Sequence, residues 1–348
     1  MNAVYSTADW SRGRLEIVHA CPICGESGTT AEYARRDDSL AMPDVWRMAR
    51  CAGCRSIYLV DKPDSESLAR AYTGYYTHDS EQEDLDVKVE AGLVARLVNG
   101  YLNVRFRMGR QPALHIGMWL FKAIPPLRMK LDVYGRHVRT ELCSCQTRLL
   151  DVGCGNGAFL LRARSMGIRV QGCEPDPVAA ETCKQLGLDV HNGDVWTAGY
   201  PAKAFNYITL NHVIEHVSDA PSLLEKLGEL LKPGGVLWLA LPNPNALGIS
   251  LFESGWKGLH PPYHLQIPSQ PVLRRWLQEA GLIEVRFVRR GVQSPGLWRE
   301  STEIAQREGT APPSWRITFV RRVGDVLSTF SPRWGEETII MARRPIDQ

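Results

Sequence analysis

The sequence predicts an α/β protein: a mostly parallel sheet covered by helices on both faces, with a small cysteine-bearing head before it and helical additions around it. Three observations predict this. Residues 150–157 read Leu-Asp-Val-Gly-Cys-Gly-Asn-Gly, a glycine-dense turn between an apolar strand approach and a helical pattern. Downstream, short β-branched runs alternate with helical periodicity, as expected of strands buried on both faces by crossover helices. Upstream stand two Cys-x-x-Cys pairs, Cys21/Cys24 and Cys51/Cys54. The 348 residues leave room for two domains or for one domain with large additions. By composition the chain divides into a head at 15–60, a linker, lid and basic amphipathic helical segment at 61–147, and a sheet domain at 148–348 with a helical insertion at about 291–335.

Thiolates two residues apart can grip one ion, and two such pairs complete a tetrahedral Cys₄ site. Gly25 and Gly53 are expected to supply the turns of these knuckles. The 26 residues between the pairs are long for a ribbon, but residues 31–46 can form a hairpin. Such a closed site would hold a structural Zn²⁺ and perform no chemistry. The other cysteines, Cys143, Cys145, Cys154, Cys173 and Cys183, read as small apolar residues.

The middle segment carries nine Lys/Arg between Arg96 and Arg139 against one acid, Asp132, with Trp119, Leu120 and Ile124 interleaved and Pro125-Pro126 breaking any helix. Trp315, Phe319, Arg321, Arg322 and Phe330 repeat the flavour near the C-terminus. A basic segment with aromatic faces suits an anionic membrane surface, so peripheral membrane contact is one expectation and a helical cap packed on the sheet is the other. Net charge +3 is too small to imply nucleic acid, and no recognised reading motif is present. No apolar run reaches the ~18 residues of a membrane span, and no secretory signal is visible. The expectation is a cytoplasmic protein, with peripheral placement on the inner membrane face as an extension of it.

The glycines leave no Cβ between the backbone and a ligand, and the turn delivers free N–H groups at a helix N-terminus. Gly153, Gly155 and Gly157 are spaced Gly-x-Gly-x-Gly behind Asp151, unlike the Gly-x-Gly-x-x-Gly of dinucleotide sites. A second strand ends in Glu174, a third leads to Gly193-Asp194, and a fourth, residues 205–210, runs into Asn211-His212-Val-Ile-Glu215-His216. A helix from Ala220 to Leu231, the turn Lys232-Pro-Gly-Gly235, a strand over 236–241, and a last strand at 337–344 follow. This series resembles the class I S-adenosylmethionine-dependent methyltransferases, and especially their ubiquinone-pathway O-methyltransferase-like branch. The likeness covers about residues 148–290 and the final strand.

The resemblance implies a Rossmann-like seven-stranded sheet and S-adenosylmethionine as cofactor. Asp151, Gly153, Cys154, Gly155 and Gly157 would line its methionine side, Glu174 its ribose, Asp194 its adenine, with Asn211 nearby. A tyrosine-bearing stretch, Tyr72 to His78, would act as a lid, or else be an ordinary aromatic linker packed on the domain. It further implies that residues 212–216 sit where methyl transfer occurs. Some relatives carry Glu-x-x-Glu-His there and bind a divalent cation; His212 in the first position departs from that pattern and favours softer ions over magnesium. Glu215 and His216 are a tentative second metal site, with a further ligand or base available from residues 260–265. Alternatively Glu215-His216 only orders the loop. As bases that relieve a hydroxyl of its proton, His216 and His264 come first and His212 next. The acceptor is expected to be a small-molecule, sugar or lipid-linked oxygen. C- or N-methylation of a nucleotide-linked sugar is the alternative, and a cofactor-fold binding protein without turnover is the rival of another class.

Overall fold

The structure, a computed structural model, describes residues 5–10, 13–36, 44–64, 66–67 and 92–346. The tyrosines expected to form a lid, with His78, lie outside the described residues.

A seven-stranded sheet forms the centre of the molecule. Its strands are β7 (Arg148–Val152), β8 (Arg169–Glu174), β9 (Val190–Asn192), β10 (Phe205–Asn211), β11 (Leu231–Pro242), β13 (Ile283–Val288) and β14 (Glu337–Arg343), in the order β13-β14-β11-β10-β7-β8-β9. β9, β8, β7, β10 and β11 run parallel, and β14 enters antiparallel between β11 and β13. The strand order reverses between β7 and β10, so a crevice opens at their carboxyl ends, where sheets of this kind bind ligands. Period-2 alternation assigns each face its core. Leu149, Tyr207 and Trp238 pack into one apolar cluster, and Leu150, Ile208, Leu237 and Leu239 into the other.

The sequence pattern ended a helix at Leu231 and placed a turn at Lys232-Pro-Gly-Gly235. The structure instead carries Leu231 into β11, where it pairs with Phe205; pairing resumes at Tyr207–Val236, and residues 232–235 bulge between. A helix over Ala220–Leu230 precedes it.

The head is two small sheets. One joins β1 (Tyr5–Trp10), β2 (Gly13–Val18) and β6 (Asp61–Pro63). The other has the order β12-β5-β4-β3, from β3 (Thr29–Arg36), β4 (Val45–Cys51), β5 (Ile57–Leu59) and β12 (Gln266–Ile267). Its strands therefore reach beyond 15–60 on both sides, and β12 belongs by sequence to the sheet domain. Through β12 the two parts share one sheet: Gln266 and Ile267 pair with Tyr58 and Ile57, and Leu59 N donates to Leu265 O at 3.0 Å.

The basic middle folds as three helices, α1 (Leu93–Phe106), α2 (Ile116–Ala123) and α3 (Pro125–Tyr134). Pro125 opens α3 at a position where its missing N–H costs nothing. α1 and α2 cross at backbone distance: a Cβ on Gly100 would stand 1.8 Å from Leu114 O, and one on Gly117 1.9 Å from Leu97 O. Two further helices, Pro295–Arg307 and Ser314–Phe330, form the insertion, and Trp298 joins Trp46, Phe252 and Trp256 in a third apolar cluster that seats it against the head.

Candidate functional site

The turn after β7 places all three glycines at positive φ: Gly153 at 65°, Gly155 at 54° and Gly157 at 80°. They do different work. A Cβ on Gly153 would meet Val213 at 2.6 Å and one on Gly157 would meet Leu188 at 2.5 Å, so both are needed for packing. Nothing lies within 4 Å of a Cβ on Gly155, which opens on the crevice. Gly155 N donates to Glu174 Oε2 at 2.8 Å and Asp176 N to Glu174 Oε1 at 3.0 Å, so the carboxylate at the end of β8 is held against the turn. Burial raises its pKa, and those backbone donors oppose the rise without cancelling it. An open glycine cradle beside an oriented carboxylate fits a ribose-bearing cofactor.

Asp194 is exposed and accepts from Trp196 N and Thr197 N, at 3.0 and 2.9 Å, which fixes the loop after β9. Asn211 ends β10 with its side chain exposed. Cys154 is buried, and a Cβ on Gly172 would lie 2.8 Å from its sulfur, so only its backbone borders the crevice. Asp151 is fully buried under the turn. Its Oδ1 accepts from Arg136 and, at 2.7 Å, from Thr209 Oγ1. Arg136 in turn lies 3.7 Å over the Phe159 ring. Asp151 thus anchors Arg136, a residue whose role the sequence did not signal beyond its place in a basic segment.

The loop after β10 gathers the histidines. His216 Nδ1 bonds Tyr263 O at 3.0 Å and His264 Nδ1 bonds Gly258 O at 2.9 Å. A carbonyl only accepts, so each Nδ1 carries the proton and each Nε2 keeps its lone pair. The rings meet edge to face at 4.8 Å, and ligand atoms of Glu215, His216 and His264 lie within 4.8 Å of one another. Burial lowers the pKa of His216; burial, with His216 alongside, pushes His264 down to about 3. Both imidazoles are neutral. Glu215 is fully buried; its Oε1 lies 3.9 Å from His264 Nε2, and its Oε2 has no hydrogen-bond partner among the described residues.

His212 stands apart from that trio. Its Nδ1 bonds Glu215 Oε1 at 3.0 Å and its Nε2 bonds Glu337 Oε1 at 2.7 Å. Burial alone would lower its pKa, but the two carboxylates outweigh burial and raise it to about 10. Held protonated between these carboxylates, His212 presents no lone pair to an acceptor hydroxyl. It neutralises Glu215 and Glu337, and Arg290 binds Glu337 from the other side at 2.5 Å. Glu337 and Arg290 were not singled out in the sequence; the only hint was an acid opening the last strand.

In the head, Cys21 Sγ and Cys54 Sγ are 3.7 Å apart, Cys24 Sγ and Cys51 Sγ 3.5 Å, and all four lie within 4.8 Å. Sulfurs about 3.8 Å apart are what a tetrahedral Zn–S shell of about 2.3 Å bonds requires. The knuckle glycines need correction. Gly25 takes φ 78°, but in the second knuckle the left-handed residue is Arg55, at 63°, and Gly53 does not adopt it. The residue after the second cysteine makes this turn, and there the sequence has Arg55, not glycine.

Residues 120–285 match the family described as a methyltransferase domain. With the strand order and glycine turn above, this defines the class: the chain carries a class I S-adenosylmethionine-dependent methyltransferase domain, and S-adenosylmethionine is its methyl donor. Among particular proteins, it is similar to the ubiquinone biosynthesis O-methyltransferase of Xanthomonas euvesicatoria pv. vesicatoria (strain 85-10), with 26% identity over 215 residues, 57% of this chain and 82% of the relative. The enzyme of the same name from Chelativorans sp. (strain BNC1) is 28% identical over 43% of this chain and 64% of its own, just under two thirds of its length. A solved S-adenosylmethionine-dependent methyltransferase from Mesorhizobium loti aligns at 14% identity over 62% of this chain and 98% of its own, with a TM-score of 0.43.

Proposed function

We propose that the enzyme methylates an oxygen of a small-molecule, sugar or lipid-linked acceptor, and that the acceptor approaches through the loops at 212–216 and 258–265. The observation that carries this reading is the pair of neutral imidazoles, His216 and His264, whose rings meet edge to face and whose ligand atoms cluster with the buried Glu215 carboxylate. S-adenosylmethionine supplies a methyl carbon already activated by positive sulfur. The protein must then align the acceptor and take its proton. His264, at about 3, is a weak base at neutral pH, so His216 is the proton acceptor and His264 orients it. Gly153, Gly155 and Gly157 border the methionine side with Asp151 beneath, Glu174 takes the ribose hydroxyls and Asp194 the adenine. Transfer to carbon or nitrogen of a nucleotide-linked sugar would use the same donor site.

Two imidazole nitrogens and a carboxylate are also a donor set for a divalent transition cation, which would lower the pKa of an acceptor hydroxyl held there. The four head cysteines would hold zinc. Exposed Ile116 and Trp119 share α2 with exposed Lys122, and exposed Trp315, Phe319 and Phe330 share the last insertion helix with exposed Arg316 and Arg322. Each of these surfaces complements an anionic lipid surface.

The direct test is calorimetry with S-adenosylmethionine. Glu174→Ala removes two oriented acceptors and should weaken binding at least about tenfold, given roughly 1.5–3 kcal/mol for hydrogen bonds to a charged group. Unchanged affinity would sink the donor-site assignment. For the second cluster, metal content should fall by one equivalent in His264→Ala while the equivalent in the head remains.

A further inference from the structure

A cleft of about 330 Å³ lies between the head and the C-terminal edge of the sheet, away from the glycine turn. Its head wall is Tyr33, Arg50 and Arg55. Its sheet wall is Asn245, just past β11, with Arg333 and Trp334, just before β14. Three arginines and two aromatic rings converge here, and no carboxylate lines the cleft among the described residues. The arginines are held in different ways. Arg50 is 8% exposed and spends one N–H on Pro244 O and another on Tyr33 Oη at 3.4 Å, which leaves three of its five donors. The Arg333 guanidinium lies 5.3 Å over the Trp334 ring. Asn243 pins the segment carrying it, donating to Arg333 O at 2.8 Å and Gly335 O at 2.7 Å. Arg55 sits in the left-handed turn of the second knuckle, so the head's sulfur cluster positions it.

Arginine forks match the oxygens of phosphate, and a site with several uncompensated guanidinium groups is unfavourable until an anion fills it. The cleft is also tied to the reacting end. Trp334 is three residues, about 10 Å of extended chain, from Glu337, the carboxylate that holds His212. Resting on the methyl-transfer reading above, we propose that this cleft binds a phosphate or diphosphate group carried by the methyl acceptor, with the reactive part of the acceptor extending toward His216 and His264. The head then has a part in substrate recognition, since two of the three arginines flank its cysteines.

The test is calorimetry on the full-length, metal-loaded protein with three probes: inorganic pyrophosphate, uridine diphosphate and farnesyl diphosphate. Each should bind, and Arg55→Ser/Arg333→Ser should weaken each by about tenfold or more, while S-adenosylmethionine binds as before. Both substituted side chains are exposed, so the variant keeps its fold, and the retained cofactor affinity verifies that. Tighter binding of uridine diphosphate than of pyrophosphate assigns a nucleotide carrier. Tighter farnesyl diphosphate assigns a lipid carrier, and equal affinities mean that the cleft reads the diphosphate alone. No binding of any probe, or binding that the double variant leaves unchanged, overturns the proposal. Loss of S-adenosylmethionine binding in the unmodified protein would instead count against the methyl-transfer reading, so the two failures are distinguishable.

Discussion

At the scale of single residues, the site is a contrast between three histidines of one loop system. His216, half-buried, and His264, buried, lie against backbone carbonyls and stay neutral, whereas His212 is clamped by Glu215 and Glu337 and stays protonated. This has a measurable sign. Because the folded-state pKa of His212 is raised, to about 10 from an ordinary value near 6.5, its contribution to stability is fully present below about pH 6.5 and is lost as pH rises through about 10. His212→Gln should therefore flatten the alkaline limb of a plot of Tm against pH while lowering Tm at neutral pH; an alkaline limb as steep as before would refute the clamp. The spacing of residues 212–216 made two of these histidines visible in the sequence and the segment 260–265 the third, but neither showed this division of labour. What splits them is Glu337, 125 residues from His212 and brought to it by the antiparallel insertion of β14. Arg136 escaped notice for the same reason: its partner Asp151 is chosen by tertiary packing. Glu174 and Gly155, by contrast, meet across one βα unit, and that short separation is why the turn and its carboxylate were legible together.

At the scale of elements, the parallel strands and the two knuckles follow from local pattern, while their joining does not. β12 is two residues long, and nothing in Gln266-Ile267 marks it as the edge of another sheet. It is nonetheless the strand that fastens the head, helped by Ser269, whose N–H bonds Ser56 Oγ at 2.9 Å and whose hydroxyl donates to Cys54 O at 2.7 Å. The proposed zinc should accordingly stabilise more than the knuckles. Structural zinc sites are worth on the order of 10–16 kcal/mol in isolated peptides at pH 7. Cys51→Ala should lose one equivalent of zinc by elemental analysis and raise amide exchange in β4, β5 and β12 together. Zinc content equal to that of the unmodified chain would remove the assignment.

At the scale of the whole molecule, the additions outside the sheet present its exposed apolar surface. The last insertion helix shows an exposed stripe at Trp315, Phe319, Val326 and Phe330, spaced to lie along one side of a helix, and it packs near α3. If that face meets lipid, the protein should co-sediment with vesicles containing phosphatidylglycerol, and Trp119→Ser/Phe319→Ser should cut the bound fraction several-fold without touching S-adenosylmethionine affinity. Equal sedimentation of both proteins would mean that the face is a solvated cap. Among the described residues, no helix is long and apolar enough to cross a membrane. The strand shared between head and sheet also shapes how metal depletion will look in the test tube. Leu265, directly ahead of β12, donates its N–H to Glu215 O at 2.9 Å, and His264 is its neighbour. If the four cysteines hold zinc as proposed, stripping it would slacken the very loop that holds the imidazoles. A chelator would silence turnover through an ion that never meets the acceptor, so the arithmetic of bound equivalents, not the loss of activity, identifies which ion matters.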